Sequence, residues 1–340
     1  MTDIEYLNNK SQYFRESLRK NMNEATGPKK TDVDVIRTAI WYEFVRQKLS
    51  AHTPYEVERI LEPDAFGYTE DAEPYHKNKW TKYKVGKFTP YSALIAKVEY
   101  QLPGTKYLLN HFLWECLKAD INKEVDIKLL LKELSPEIQQ VIFEHNLTQV
   151  DCSIHRIKYS DIQLKMLERR AGLEALTCLM ILFREAYAEK NHKKTLNIGI
   201  SLYRVLLIVC NTLPFKHFTM ELFYIFDKRV FSQIDANGLG FRFDEFSFVD
   251  AVELLNELLL AIEDGGQSTN GLETMIKLIN GEHGFDIMSA LRAPIGPILA
   301  KTEYNLKDYQ NYERQERLRT WANMNIYSVN REHLPPISLG

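Results

Sequence analysis

The sequence predicts a mostly helical, all-α protein, and three observations carry that expectation. Apolar residues return every three to four positions through nearly every long segment. No alternating run persists far enough to specify a sheet, and Ser/Thr-Pro pairs recur where helices should begin. In chain order, Ile36, Ile40, Phe44, Val45 and Leu49 form one face of a first long helix. Thr53-Pro54-Tyr55-Glu56 then supplies a capping hydroxyl, a proline at the first helical position and a carboxylate that reaches back, so a helix starts near 54. Thr89-Pro90 and Ser135-Pro136-Glu137 place further starts near 90 and 136, and Leu94, Ile95, Val98 and Leu102 give the face that follows the first of these.

Between about 120 and 160 the pattern gives two shorter helices and a polar link at 146–153, the expected domain boundary. Beyond it, Leu164, Leu167, Ala171, Ala175, Leu179, Leu182 and Ala186 mark a continuous helical stripe. Apolar segments at 195–212, 217–231 and 244–263 follow, with the lengths of antiparallel bundle helices. Gly265-Gly266-Gln267-Ser268 reads as a turn, and Pro294, Gly296 and Pro297 interrupt the chain again. The polar stretch from Tyr304 reads as a peripheral helix with a loose tail. The expected division is a helical extension at 1–30, a small domain at 31–120, linking helices at 121–158, a helical bundle at 159–303, and the helix and tail at 304–340.

Composition narrows the function. Of 340 residues, 45% are hydrophobic, and 43 basic side chains face 46 acidic ones, so any electrostatic function must be local. The longest apolar stretches fall short of the roughly 20 residues a bilayer span needs, and the first residues carry no basic-then-apolar signal; a cytoplasmic location is expected. Cys116, Cys152, Cys178 and Cys210 match no zinc or disulfide spacing and read as reduced core residues. The histidines include no pair at metal-binding helical spacing. Asp235-Ala236-Asn237-Gly238-Leu239-Gly240 has the opening of a calcium loop but ends at Phe246 in place of the bidentate carboxylate, so it reads as a turn. No nucleophile elbow, phosphate loop or dinucleotide fingerprint is present, so no enzymatic activity, cofactor or metal is expected.

The local charge lies at 74–106, where seven lysines accompany a single acid, Glu99. A phosphate backbone would be drawn to such a segment. Lys77, Lys79, Lys82, Tyr83, Lys84 and Lys87 are the expected nucleic-acid-binding residues, with Trp80 packing inward behind them. No arginine lies between Arg59 and Arg156, which removes bidentate guanine reading from this segment. Lysines there would supply affinity and little sequence information.

The junction Gly86-Lys87-Phe88-Thr89-Pro90, with the basic helix before it and the apolar face after it, resembles the Cro/repressor-type helix-turn-helix family. The resemblance covers 33–117 and is closest over 80–102. It implies a divergent helix-turn-helix domain with a nucleic-acid partner. Where that family has a tight turn, this chain carries an insertion at 62–76 with Asp64, Glu70, Asp71 and Glu73. Ten aromatic side chains between Phe215 and Phe248 read first as core and second as a partner surface. The expected function is a non-enzymatic, bacterial nucleic-acid-binding regulator whose C-terminal helices mediate oligomerisation or contact with a protein partner. The alternative is an interaction subunit of a larger bacterial defence or regulatory assembly, with the helix-turn-helix core as scaffold.

Overall fold

A computed structural model of the chain describes residues 30–68, 74–119, 127–148, 151–157, 160–243, 247–265, 270–299, 306–332 and 334–336. The fold is mostly helical, as the periodicity requires. Among the described residues, strands occur only as three two-stranded antiparallel sheets. Strands of three residues are too short to leave an alternating pattern in the sequence. The chain forms two compact units. The expected extension at 1–30 lies outside the described residues except for Lys30.

The first unit comprises the described residues up to Lys118 together with Leu213–Ile225. Helix α1 (Asp32–Lys48) opens on a capping box: the Thr31 hydroxyl accepts the Asp34 N–H at 3.1 Å and Asp34 accepts the Thr31 N–H at 3.2 Å. Helix α2 (Pro54–Leu61) starts where the sequence placed it, with the Thr53 hydroxyl accepting the Glu56 N–H at 3.2 Å. The Glu56 carboxylate accepts the N–H of His52 at 2.7 Å. The insertion at 62–76 folds back as strands β1 (Phe66–Tyr68) and β2 (Pro74–His76), with Phe66 opposite His76; Glu70, Asp71 and Glu73 lie outside the described residues. Helix α3 (Lys79–Lys84) follows, then α4 (Ser92–Gln101), α5 (Thr105–Leu109) and α6 (Phe112–Lys118). Helix α4 begins two residues after Pro90, with Tyr91 at the cap, so Thr89-Pro90 completes the turn before the helix and does not cap it. The core gathers Trp41, Tyr42 and Val45 from α1, Val57 and Leu61 from α2, Trp80 and Tyr83 from α3, and Leu94 and Val98 from α4.

The second unit takes Ala119–Thr212 and the chain from Phe226 on. After α7 (Ile127–Lys132) and α8 (Pro136–Ile142), the expected polar link is a hairpin, β3 (Phe143–Thr148) against β4 (Asp151–Arg156). Its apolar residues, Phe143 and Leu147 on one strand and Cys152 and Ile154 on the other, alternate over too short a run to declare a sheet in the sequence. An ion pair anchors the hairpin: Arg156 grips Glu185 through both guanidinium nitrogens, and Lys194 reaches the same carboxylate at 3.2 Å. The stripe read as one helix is two, α9 (Asp161–Arg170) and α10 (Leu173–Ala188). Gly172, at φ 148°, breaks it where only glycine is unstrained. Helix α11 (His192–Cys210) packs on α10, and almost every residue of both is shielded.

The segment expected at 217–231 is α12 (Thr219–Arg229), and its first residues cluster with the first unit, not with the bundle. Strand β5 (Leu239–Phe241), α13 (Ser247–Asp264), α14 (Gly271–Ile279), α15 (Phe285–Ala290), β6 (Ile295–Pro297) and α16 (Leu306–Ile326) complete the second unit. Of the aromatics expected as core or partner surface, Phe215, Phe223, Phe226, Phe231 and Phe248 are buried and Tyr224 is exposed; Phe231, Phe241 and Phe243 lie within 5.3 Å of one another, and Phe248 stands edge-on to Tyr203. Phe246 and the Gly266-Gln267-Ser268 turn lie outside the described residues. The calcium-like segment is a turn closed by Asp235, whose carboxylate accepts the Gly238 N–H at 2.7 Å. Cys116, Cys178 and Cys210 are buried free thiols; the side chain of Cys152 lies outside the described set. The C-terminal segment is fastened as far as Glu332. Enclosed Asp286 accepts from Arg331 at 2.7 and 2.9 Å and from Asn325 at 3.0 Å. Among the described residues no single helix is long and apolar enough to cross a membrane.

Candidate nucleic-acid interface

Helix α3 is only six residues long, and other elements fix both its ends. Asn78, left-handed at φ 50°, gives no side-chain cap; the buried carboxylate of Glu58 on α2 accepts the Lys79 N–H at 3.2 Å in its place. At the C-terminal end Lys87 N–H bonds the Lys82 carbonyl and Gly86 N–H bonds the Tyr83 carbonyl, a Schellman closure with Gly86 at φ 66°. Gly86 also rests on α1: a Cβ there would stand 2.3 Å from the Val35 carbonyl oxygen. The Gly86 position of the helix-turn-helix resemblance is thus set by backbone handedness and by close approach together.

The inner face of α3 is aromatic. Trp80 stacks on Trp41 at 5.5 Å, and Tyr83 stands edge-on to Trp80 at 5.6 Å and to Trp41 at 6.0 Å. Trp80 is therefore the core residue the sequence suggested. Tyr83 is not the surface residue it suggested. Positions 80 and 83 are neighbours on one helical face, so burying the indole draws the phenol in with it. Burial, helped by the nearby Glu62 carboxylate, pushes the Tyr83 phenol up to about 12.

Glu62 organises this face. Buried at the end of α2, its carboxylate accepts the Trp80 indole N–H at 3.0 Å and the Lys79 ammonium at 2.5 Å, with the Tyr91 hydroxyl at 3.4 Å. Burial opposes the Lys79 charge, but the Glu62 contact outweighs it and raises the lysine pKa. Lys79, expected to meet phosphate, is thus already matched by a carboxylate and lies over the Tyr91 ring at 5.6 Å.

The remaining lysines differ. Lys77, Lys84 and Lys87 are exposed, and Lys82 is half-buried with its ammonium 5.1 Å from the Phe88 ring centre. None of the four makes an ion pair with a described residue. Glu99, the lone acid of the segment, is already engaged. It accepts the N–H groups of Gly104 at 2.9 Å and Lys106 at 2.6 Å and the Thr105 hydroxyl at 3.0 Å, and these bonds hold its carboxyl below the usual range.

In this unit the structure exposes four rings whose exposure the sequence reading did not anticipate: Phe88 (47%) and Tyr91 (53%) beside Lys82 and Lys79, Tyr100 (90%), and Tyr107 (54%), whose hydroxyl meets His111. Their signal was present. Tyr100 follows core residue Val98 by two positions, about 200° around the helix, so it had to point away from the core that Leu94 and Val98 define. Among the described residues no group of three or more His, Cys, Asp or Glu side chains could hold a metal ion. The chain matches no known family model, no curated protein and no solved structure.

Proposed function

We propose that the first unit binds nucleic acid through its phosphates, as the recognition module of a cytoplasmic, non-enzymatic regulator whose second unit serves self-association or a protein partner. One observation carries this reading: Lys77, Lys82, Lys84 and Lys87 present charge without a carboxylate partner among the described residues, in a segment whose only acid is consumed by a helix cap. Helix α3 turns Trp80 and Tyr83 inward and offers Thr81, Lys82 and Lys84 outward. That set favours phosphate contact over base-edge reading. The exposed rings add surfaces on which unpaired bases stack, so a single strand is the preferred ligand.

The test is fluorescence anisotropy of a labelled single-stranded oligonucleotide across a salt series. Four lysine contacts give a log-log salt slope near −3 on the scale of roughly −0.7 per phosphate for single strands. Replacing Lys82, Lys84 and Lys87 with Gln should flatten that slope by about 2. No retention at about 50 mM salt, where nonspecific electrostatic binding is favoured, would reject the reading. The second reading, an interaction subunit of a larger assembly, is favoured by the same four exposed rings and requires binding that persists at high salt.

A further inference from the structure

The second unit holds a pocket of about 240 Å³, walled by Tyr203 of α11, by Arg292 after α15 and by Glu316, Arg319 and Asn323 of α16. Two guanidinium groups, Arg292 and Arg319, and two carboxylates, Asp250 and Glu316, line it. Arg319 pairs with Glu316 at 2.7 Å, and nearby Arg204 pairs with Glu168 at 3.0 Å. Arg292 lies in the field of both, yet its own guanidinium has neither an ion pair nor a hydrogen bond among the described residues. Arg319 approaches closely enough to donate to the Arg292 carbonyl at 2.9 Å. Arg292, itself solvent-exposed, is thus the guanidinium of this group without a carboxylate of its own among the described residues. Tyr203 is the second anomaly: it is only 2% exposed, hemmed by Phe248, Phe243 and Phe241 at 5.7–6.3 Å, and its hydroxyl bonds to no described residue.

We propose that this pocket binds a small sugar phosphate, free or as part of a mononucleotide, with the phosphate on Arg292 and Arg319 and the sugar against Tyr203. A guanidinium fork matches phosphate oxygens in pairs, and Arg292 has no ion pair among the described residues that a phosphate would have to displace. Asp250, Glu316 and Asn323 offer acceptors to sugar hydroxyls from the same walls. The volume lies just below the range of drug-sized ligand sites, which suits a phosphorylated sugar and excludes a polymer strand.

The test is thermal unfolding of the full chain with ribose 5-phosphate, adenosine 5′-monophosphate, ribose, adenosine and inorganic phosphate, each titrated to saturation. Both phosphate esters should raise Tm by several degrees along a saturating curve, and ribose and adenosine should leave it unchanged. Arg292→Gln should abolish the shift without lowering the ligand-free Tm, since that side chain gives up no protein partner. Tyr203→Phe should weaken it several-fold while keeping the ring packing. The proposal fails if no ester shifts Tm, if adenosine acts as strongly as its monophosphate, or if inorganic phosphate alone stabilises. It also fails if the shift survives in Arg292→Gln, which would locate the anion elsewhere, the lysines of the first unit included. Oligonucleotide binding by Arg292→Gln should match the parent protein, which keeps this outcome separate from the nucleic-acid reading.

Discussion

The carboxylate of Glu62 takes the indole N–H of Trp80 on one oxygen and the ammonium of Lys79 on the other, so one buried acid both satisfies the core of the first unit and removes a cation from its surface. Two substitutions separate these roles. Trp80→Ala deletes a fully enclosed indole and should cost about 3–5 kcal/mol in urea unfolding. Glu62→Gln keeps an acceptor for the indole but weakens the lysine contact, at a cost of about 1–3 kcal/mol. Because it releases Lys79, the same change should tighten oligonucleotide binding and steepen its salt slope. Weaker binding by a folded Glu62→Gln protein would mean that Lys79 contributes nothing to phosphate contact.

Gly86→Ala should lower the stability of the first unit by more than the roughly 1–2 kcal/mol of a left-handed alanine, because its Cβ also meets the Val35 carbonyl at 2.3 Å. Backbone cannot yield there as a flexible side chain would. Chemical denaturation compared with Gly104→Ala decides it, since Gly104 shares the positive φ and has open space around it.

How much of this was legible in sequence depends on what each residue had to satisfy. The cap at Thr53-Pro54 could be read because its partners lie within the same turn. Trp80 could be read as core from its neighbours' charges. Tyr83 could not, because the lysines on either side suggested an outward face, while the Trp41 ring that draws it in lies more than forty positions away in the chain. Glu62 and Lys79 are 17 positions apart, outside any one helix turn, so their pairing left no local mark. The hairpin of β3 and β4 escaped because its alternation, Phe143 with Leu147 and Cys152 with Ile154, spans only two apolar residues per strand among polar neighbours.

Acid should release the C-terminal segment. Burial raises the Asp286 carboxyl, but the Arg331 contacts and the Ile287 N–H outweigh it, and the folded pKa lies below its ordinary value. A carboxylate lowered on folding contributes stability that is fully present above its unfolded pKa of about 3.9 and lost as pH falls through the folded value. Asp286→Asn should therefore cost about 1–3 kcal/mol at neutral pH and flatten the acid limb of the stability profile. Proteolysis of the segment after Tyr327 should follow the same pH course in the parent chain and become independent of pH in the variant.

The exposed rings decide which polyanion the first unit prefers. Tyr100 and Lys97 stand three residues apart on α4, so a strand whose phosphate meets Lys97 can lay a base on Tyr100. A duplex keeps its bases stacked on one another and cannot use the ring. Stacking on an aromatic side chain is worth about 1–3 kcal/mol per base, or about five- to 150-fold in affinity. Tyr100→Ala should therefore weaken a single-stranded oligonucleotide by that factor, leave a duplex of equal length unchanged, and leave the melting curve unchanged because the side chain is 90% exposed. Equal loss for both forms would assign Tyr100 to general surface complementarity. No loss for either would remove base stacking from the proposed function and turn the ring toward a protein partner, to be sought by pulldown with the parent chain and the Tyr100→Ala variant at high salt.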